Sequence, residues 1–155
     1  MKNKKVKFAV DGMLGRVAKW LRMLGFDTIY DTKKSSELLY KEALREERIF
    51  ITRNRKLKEQ NDVIFISSDN PLEQFREISK TVPIKEKWTP FTRCILCNRE
   101  LKPIEKEKIK ERVPFYTYEN FNEFYECPSC RRIYWKGTHY HSMLKRVEEL
   151  FDNKN

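Results

Sequence analysis

Two Cys-x-x-Cys pairs restrict the chain more than any other feature. Cys94-Ile95-Leu96-Cys97 and Cys127-Pro128-Ser129-Cys130 are separated by 29 residues. Each pair sets two thiolates on one tight turn, and four thiolates make the closed tetrahedral shell of a structural zinc ion. The separation exceeds that of short zinc fingers and leaves room for a hairpin, as in a zinc ribbon. A four-thiolate iron–sulfur cluster uses the same ligands. Redox-active pairs are the third reading, but one exposed pair would suffice for that chemistry. A closed shell leaves no open coordination position, which assigns the metal to folding rather than catalysis. His139 and His141 are then surplus as ligands, and His139 is expected at a helix start near the ribbon or facing the cleft.

The opposite end of the chain has a different character. Val6-Lys7-Phe8-Ala9-Val10 reads as a strand, and Leu14, Val17, Ala18, Leu21 and Leu24 then recur at helical spacing up to Gly25. Asp11 falls between the two, at the carboxyl end of the first strand, where open α/β sheets gather their ligands. It is either the cap of the helix or a metal ligand or general base. Arg16, Lys19 and Arg22, spaced by three, are read as one basic side of the same helix. Arg16, one turn from Asp11, is placed to meet a phosphate.

Further strands are expected at Thr28–Tyr30, Arg48–Thr52 and Val63–Ile66. Helices are expected from Glu37 to about Glu47, capped by Ser35 or Ser36, and after Asp69-Asn70-Pro71. The first of these should turn Leu38, Leu39, Ala43 and Leu44 inward, the second Leu72, Phe75, Ile78 and Ser79. Alternating strands and helices predict right-handed βαβ units and a parallel sheet. Pro83, Pro90 and Lys85-Glu86-Lys87 mark a break. The chain therefore divides into an α/β domain over 1–82, a linker over 83–93, and a ribbon with a C-terminal helix over 94–155. That helix, from His139, carries Met143, Leu144, Val147, Leu150 and Phe151 on one side, and Asp152-Asn153-Lys154-Asn155 should fray. Tyr134, Trp135 and Tyr140 read first as packing residues, and as base-stacking platforms if exposed.

Only 39% of the 155 residues are hydrophobic, 36% are charged, and the net charge is +10. Residues 1–34, with Lys2, Lys4 and Lys5 among them, hold nine basic and three acidic side chains. High Lys and Glu content is a thermophilic trait, but the imbalance of sign points to a polyanionic partner. No apolar run approaches the roughly 18 residues of a membrane span, and no apolar signal core follows the basic N-terminus. A cytoplasmic protein is expected, and in that reducing compartment four cysteines hold metal more often than disulfides.

The remaining acids near strand ends are Asp31, after the second strand, and Glu37, at the next helix. Thr52-Arg53-Asn54 follows the third strand, where another acid would complete a Mg2+ or Mn2+ site. The stretches Asp11–Thr28, Ile49–Asn54, Arg93–Asn98, Cys127–Cys130 and Tyr134–His139 resemble the Mut7-C RNase family, in order and over about residues 6–146. The resemblance implies a PIN-like parallel-sheet α/β/α sandwich followed by a zinc ribbon. It also implies metal-dependent cleavage of RNA, with Asp11 as the first metal-binding acid and the four cysteines as zinc ligands. The chain departs from the family at Asn54, where an acid is usual, and at Ser35 and Ser36, where acids are frequent; Asp31, Glu37 and Asp69 are the acids that would compensate.

Two functions follow as expectations. In the first, Asp11, Glu37 and Asp31 hold the metal, with Asn54 at the fourth position, and Arg16 and Arg53 steady the phosphate. In the second, the nuclease site is degenerate and the protein binds RNA or the ribosome through Lys4, Lys5, Arg16, Lys19, Arg22, Arg131 and Arg132. The RNA, whether tRNA, rRNA or mRNA, and the oligomeric state are not encoded in any motif.

Overall fold

The computed structural model describes residues 5–152; Lys2, Lys4, Asn153, Lys154 and Asn155 lie outside these residues, as does the side chain of Phe151. Four strands, β1 (Lys7–Val10), β2 (Asp27–Tyr30), β3 (Ile49–Thr52) and β4 (Val63–Phe65), form one parallel sheet in the order β2-β1-β3-β4. Phe8, Ala9, Val10, Phe50 and Ile51 are fully buried, as continuous apolar strands must be when both faces are covered. Helices α1 (Gly15–Met23) and α3 (Pro71–Ser79) cover one face, packing Val17, Leu21, Phe75 and Ile78 on Phe8, Val10 and Ile51. Helix α2 (Ser36–Arg45) covers the other with Leu39, Tyr40 and Ala43 against Ala9 and Phe50. The result is the expected three-layer α/β/α sandwich.

The inward face of α2 differs from the expectation. Leu38 and Leu44 are 54% and 42% exposed, and Tyr40 takes the inner position. Its ring packs on Phe50, 5.6 Å between centroids, and its hydroxyl donates to the carbonyl of Asn61 at 2.8 Å. A satisfied polar tip lets tyrosine occupy a core site that periodicity alone gives to leucine. In α3, Gln74 is buried beside Phe75 and Ile78, its amide donating to the Ser68 carbonyl.

The short α4 (Ile84–Lys87) and the segment after it lie on the sandwich. Ile84 is in the core, and Thr89 and Phe91 donate their amides to the carbonyls of Leu24 and Met23 at 2.9 and 3.0 Å. Beyond them β5 (Lys102–Ile104), β6 (Phe124–Glu126) and β7 (Ile133–Tyr134) make a small antiparallel sheet, with α5 (Phe115–Asn120) before β6. Helix α6 (Thr138–Asp152) then returns to the sandwich and buries Met143, Val147 and Leu150 in the core shared with α1 and α3. Its apolar side, which the sequence assigns to the ribbon module, thus finishes the first core instead.

A polar seam locks the ribbon to edge strand β2. Asn98, in a left-handed conformation (φ 64°), accepts from the Thr28 amide at 2.9 Å and donates to Asp27 Oδ1 at 2.7 Å. Arg22 donates to the Thr28 carbonyl and to the carbonyls of Ile95 and Leu96. The Thr28 amide and carbonyl, which would otherwise be open to pairing with another chain, are therefore occupied. Burial pushes the Asp27 carboxyl up, but hydrogen bonds from Arg48 and Asn98 outweigh it and hold its pKa below the ordinary value. The folded pKa lies below the unfolded one. The contribution of Asp27 is thus complete above about pH 4 and is lost as pH falls through the folded value. Urea titrations at about pH 6 and about pH 3 should show a larger loss of stability for the native chain than for Asp27→Asn; equal losses would remove Asp27 from the seam's energetics.

Candidate functional site

The sheet order creates one topological switch point. The chain leaves β1 towards β2 on one side and returns to β3 on the other. A crevice for ligands is expected outside the carboxyl ends of those central strands. Asp11 and Thr52 stand there. The Asp11 amide donates to the Ile51 carbonyl at 2.9 Å, which continues the β1–β3 pairing to the crevice floor.

Asp11 does not cap α1, whose first turn has no side-chain cap. It is 6% exposed and collects donors from three elements. Oδ1 accepts from the Gly12 amide at 2.9 Å. Oδ2 accepts from Ser36 Oγ at 2.5 Å and from Thr52 Oγ1 at 2.6 Å. Thr52 Oγ1 in turn accepts from the Asn54 amide at 2.9 Å. The Tyr30 hydroxyl donates to the Gly12 carbonyl at 2.6 Å and holds the loop that carries Asp11.

The other acids do not join it. Asp31 Oδ1 closes a local turn by accepting from the Lys33 amide at 2.8 Å. Glu37 is exposed on the first turn of α2, one residue beyond Ser36. Asn54 Oδ1 accepts from the Lys56 amide at 3.0 Å and so caps the 3-10 turn Arg55–Leu57. Asp69 pairs with Arg53 Nη1 at 2.6 Å, and Arg53 Nη2 donates to the Ser67 carbonyl. Among the described residues, the single group of three or more His, Cys, Asp or Glu side chains able to hold a metal is the cysteine cluster. Three of the roughly four acceptor directions of the Asp11 carboxylate are used by protein hydrogens. A divalent cation, which needs carboxylate oxygens as ligands, would have to displace these protein hydrogens to bind at Asp11.

The basic residues divide. Arg16 and Lys19 are exposed on α1. Arg22 instead spends its guanidinium on the seam, where burial outweighs the nearby anionic groups and lowers its pKa. The expectation that all three share one face fails because a spacing of three rotates each successive residue by about −60°, placing Arg22 about 120° from Arg16. Sequence reasoning missed Arg55 and Lys58, both exposed just past Asn54, with Arg55 5.5 Å and Lys58 5.1 Å from the Phe65 ring centroid. It also missed the hydroxyls of Ser36 and Thr52; the signal available was their place at a helix start and a strand end. Arg131 pairs with Glu126 at 2.6 Å and Arg132 is exposed.

The four cysteine sulfurs lie within 4.8 Å of one another. Both pairs form the same knuckle. Cys97 donates its amide to Cys94 Sγ at 3.3 Å, and Cys130 donates to Cys127 Sγ at 3.5 Å. Asn98 (φ 64°) and Arg131 (φ 68°), each four residues after the first cysteine of its pair, turn the chain back. A zinc tetrahedron with bonds of about 2.3 Å has edges of about 3.8 Å, and Cys94 Sγ to Cys130 Sγ is 3.8 Å. The donor set fits zinc. Burial and hydrogen bonds with the Cys130 and Cys127 sulfurs push the Cys97 thiol up to about 11. At Cys127 burial also pushes upward, but the amides of Cys130 and Ser129 outweigh it and hold the thiol at about 7. The Tyr134 hydroxyl lies 3.0 Å from Cys94 Sγ and accepts from the Ile95 amide at 3.1 Å.

A cavity of about 640 Å3 lies elsewhere, at the amino ends of β1 and β2 beside the seam, where Asp27 and Arg93 line it already paired. No helix among the described residues is long and apolar enough to cross a membrane. A family model described as the Mut7-C RNAse domain matches residues 6–147. No curated protein and no solved structure matches the chain.

Proposed function

Because the chain belongs to the Mut7-C RNase domain family, we propose that it binds RNA along the crevice of the parallel sheet without cutting it, while a zinc ion on the four cysteines holds the ribbon. The observation that carries this reading is the state of Asp11. Its oxygens are committed to Gly12, Ser36 and Thr52, and Asn54, at the position where the family usually has an acid, serves as a cap. Hydrolysis through a hard cation needs carboxylate oxygens free to take the ion. This crevice replaces them with hydroxyls and an amide, which add no negative charge.

The electrostatics suit a phosphate backbone. Exposed cations follow both strands that end at the crevice, Arg16 and Lys19 after the first and Arg55, Lys56 and Lys58 after the third. The net charge of +10 supplies long-range attraction. A metal-dependent ribonuclease remains the competing reading, and the burial of Asp11 at the switch point beside Glu37's helix is what favours it.

Binding to a single-stranded RNA oligomer, followed by fluorescence anisotropy, tests the proposal. If about four phosphates are neutralised, a fourfold rise in salt should weaken binding about fiftyfold. Arg16→Glu with Lys19→Glu should weaken it at least about tenfold and flatten the salt slope by about two phosphates. Salt-insensitive binding, or affinity untouched by the double reversal, would overturn the basic-flank assignment.

A further inference from the structure

We infer that the ribbon carries a second RNA contact, a site for one unpaired nucleotide at its junction with α6. This rests on the reading that the chain binds RNA, but it places part of that binding far along the chain from Asp11. The structure shows two adjoining cavities there. One, of about 420 Å3, is walled by Tyr116, Phe121, Tyr134, Trp135, His139 and Tyr140. The other, of about 400 Å3, contains Lys136, His141 and Lys145. They share Phe121, Gly137 and Thr138 as a common wall, and no acidic side chain lines either.

That division matches the two halves of a nucleotide. An aromatic cavity within the size range of small-ligand sites accepts a flat base, and stacking on aromatic rings is open to every base because each has a π face. The adjacent lysines suit its phosphate. The rings are fixed before any ligand arrives. Tyr140 packs edge-on to Phe91 with centroids 5.0 Å apart, Trp135 lies 6.3 Å from Phe124, and Tyr134 is tied to the first knuckle through Cys94 and Ile95. Lys136 sits 5.6 Å from the Phe91 ring and so is oriented as well.

The rim is unusually apolar for an exposed surface. Tyr116 is 70% exposed and its neighbour Phe115 78%. Tyr116 contributes nothing to the buried core, yet it forms one side of the aromatic cavity. A stacking partner would cover it. Duplex RNA cannot supply one, because its bases are already paired and stacked within the helix.

The test compares single-stranded and duplex RNA of the same length and charge on the full chain. The double variant Tyr116→Ala, Lys145→Ala changes two exposed side chains, and circular dichroism with zinc content verifies its fold. It should lose about tenfold in affinity for the single strand and less than about twofold for the duplex. Photocrosslinking with 5-iodouridine RNA, read by mass spectrometry, should label Tyr116, Trp135 or Tyr140. If the double variant binds both RNAs like the native chain, or the labels fall only on α1 and the 3-10 turn, the ribbon site is overturned while RNA binding by the crevice stands. If the native chain binds neither RNA, the wider reading falls and takes this one with it.

Discussion

Replacement of Cys127 by serine is expected to empty the four-cysteine centre and unfold the ribbon. The three ribbon strands are three, three and two residues long. Strands so short cannot be stable alone. Buried side chains in this part of the chain are few, chiefly Phe91, Ile109, Phe124, Cys94 and Cys127. Zinc binding to such peptides contributes on the order of 10 kcal/mol to folding, far more than this apolar core. Loss of the metal would also free the first knuckle, whose Ile95, Leu96 and Asn98 make the seam with Arg22 and Asp27. Stoichiometric zinc should fall from one ion to none, protease should cut between residues 98 and 137, and chelation of the native protein should give the same pattern. A Cys127→Ser protein that resists protease and melts with the native chain would show that the ribbon stands without its metal.

Gly25→Ala is the second large effect. Gly25 has φ 93°, a region that a side chain rarely tolerates. A Cβ there would collide with the Thr89 carbonyl oxygen and with Thr89 Oγ1. The obstacle is backbone, and that backbone is held by the Thr89 and Phe91 amides on Leu24 and Met23. Accommodation means lifting the connection between sandwich and ribbon, at a cost of about 3 to 5 kcal/mol. Gly137→Ala is the control. Its φ is not in the left-handed region, and its Cβ would meet only the edge of the Trp135 indole, at 3.0 Å, rather than backbone, for a smaller cost of about 1 kcal/mol. Urea unfolding of both variants measures the contrast, and equal losses would contradict the close approach at Gly25.

The parts of this fold that were legible in the sequence are those written locally. Phe8–Val10 and Phe50–Ile51 are continuous apolar runs because both faces of their strands are covered, and the knuckles are fixed by spacing within four residues. The crevice was half legible. The position of Asp11 at a strand end was clear, but its partners Ser36 and Thr52 lie 25 and 41 residues away, and no local pattern reports such a contact. Serine before a helix reads as a cap, and Ser35 does take that role by accepting from the Leu38 amide; its neighbour Ser36 was free to reach Asp11. Arg22 departs from the basic face because two steps of three residues carry it about 120° around the helix from Arg16. The destination of α6 was hidden for a different reason. An apolar stripe shows that a helix is buried, not which core it completes.

The most direct measurement is a time course of single-stranded RNA incubated with the native chain in Mn2+, at a protein concentration that keeps the RNA bound, beside Asp11→Asn and Asn54→Asp. Intact RNA is expected with the native chain and with Asp11→Asn, and bound RNA throughout. Manganese-dependent cleavage by the native chain that disappears in Asp11→Asn would contradict it and establish a working nuclease.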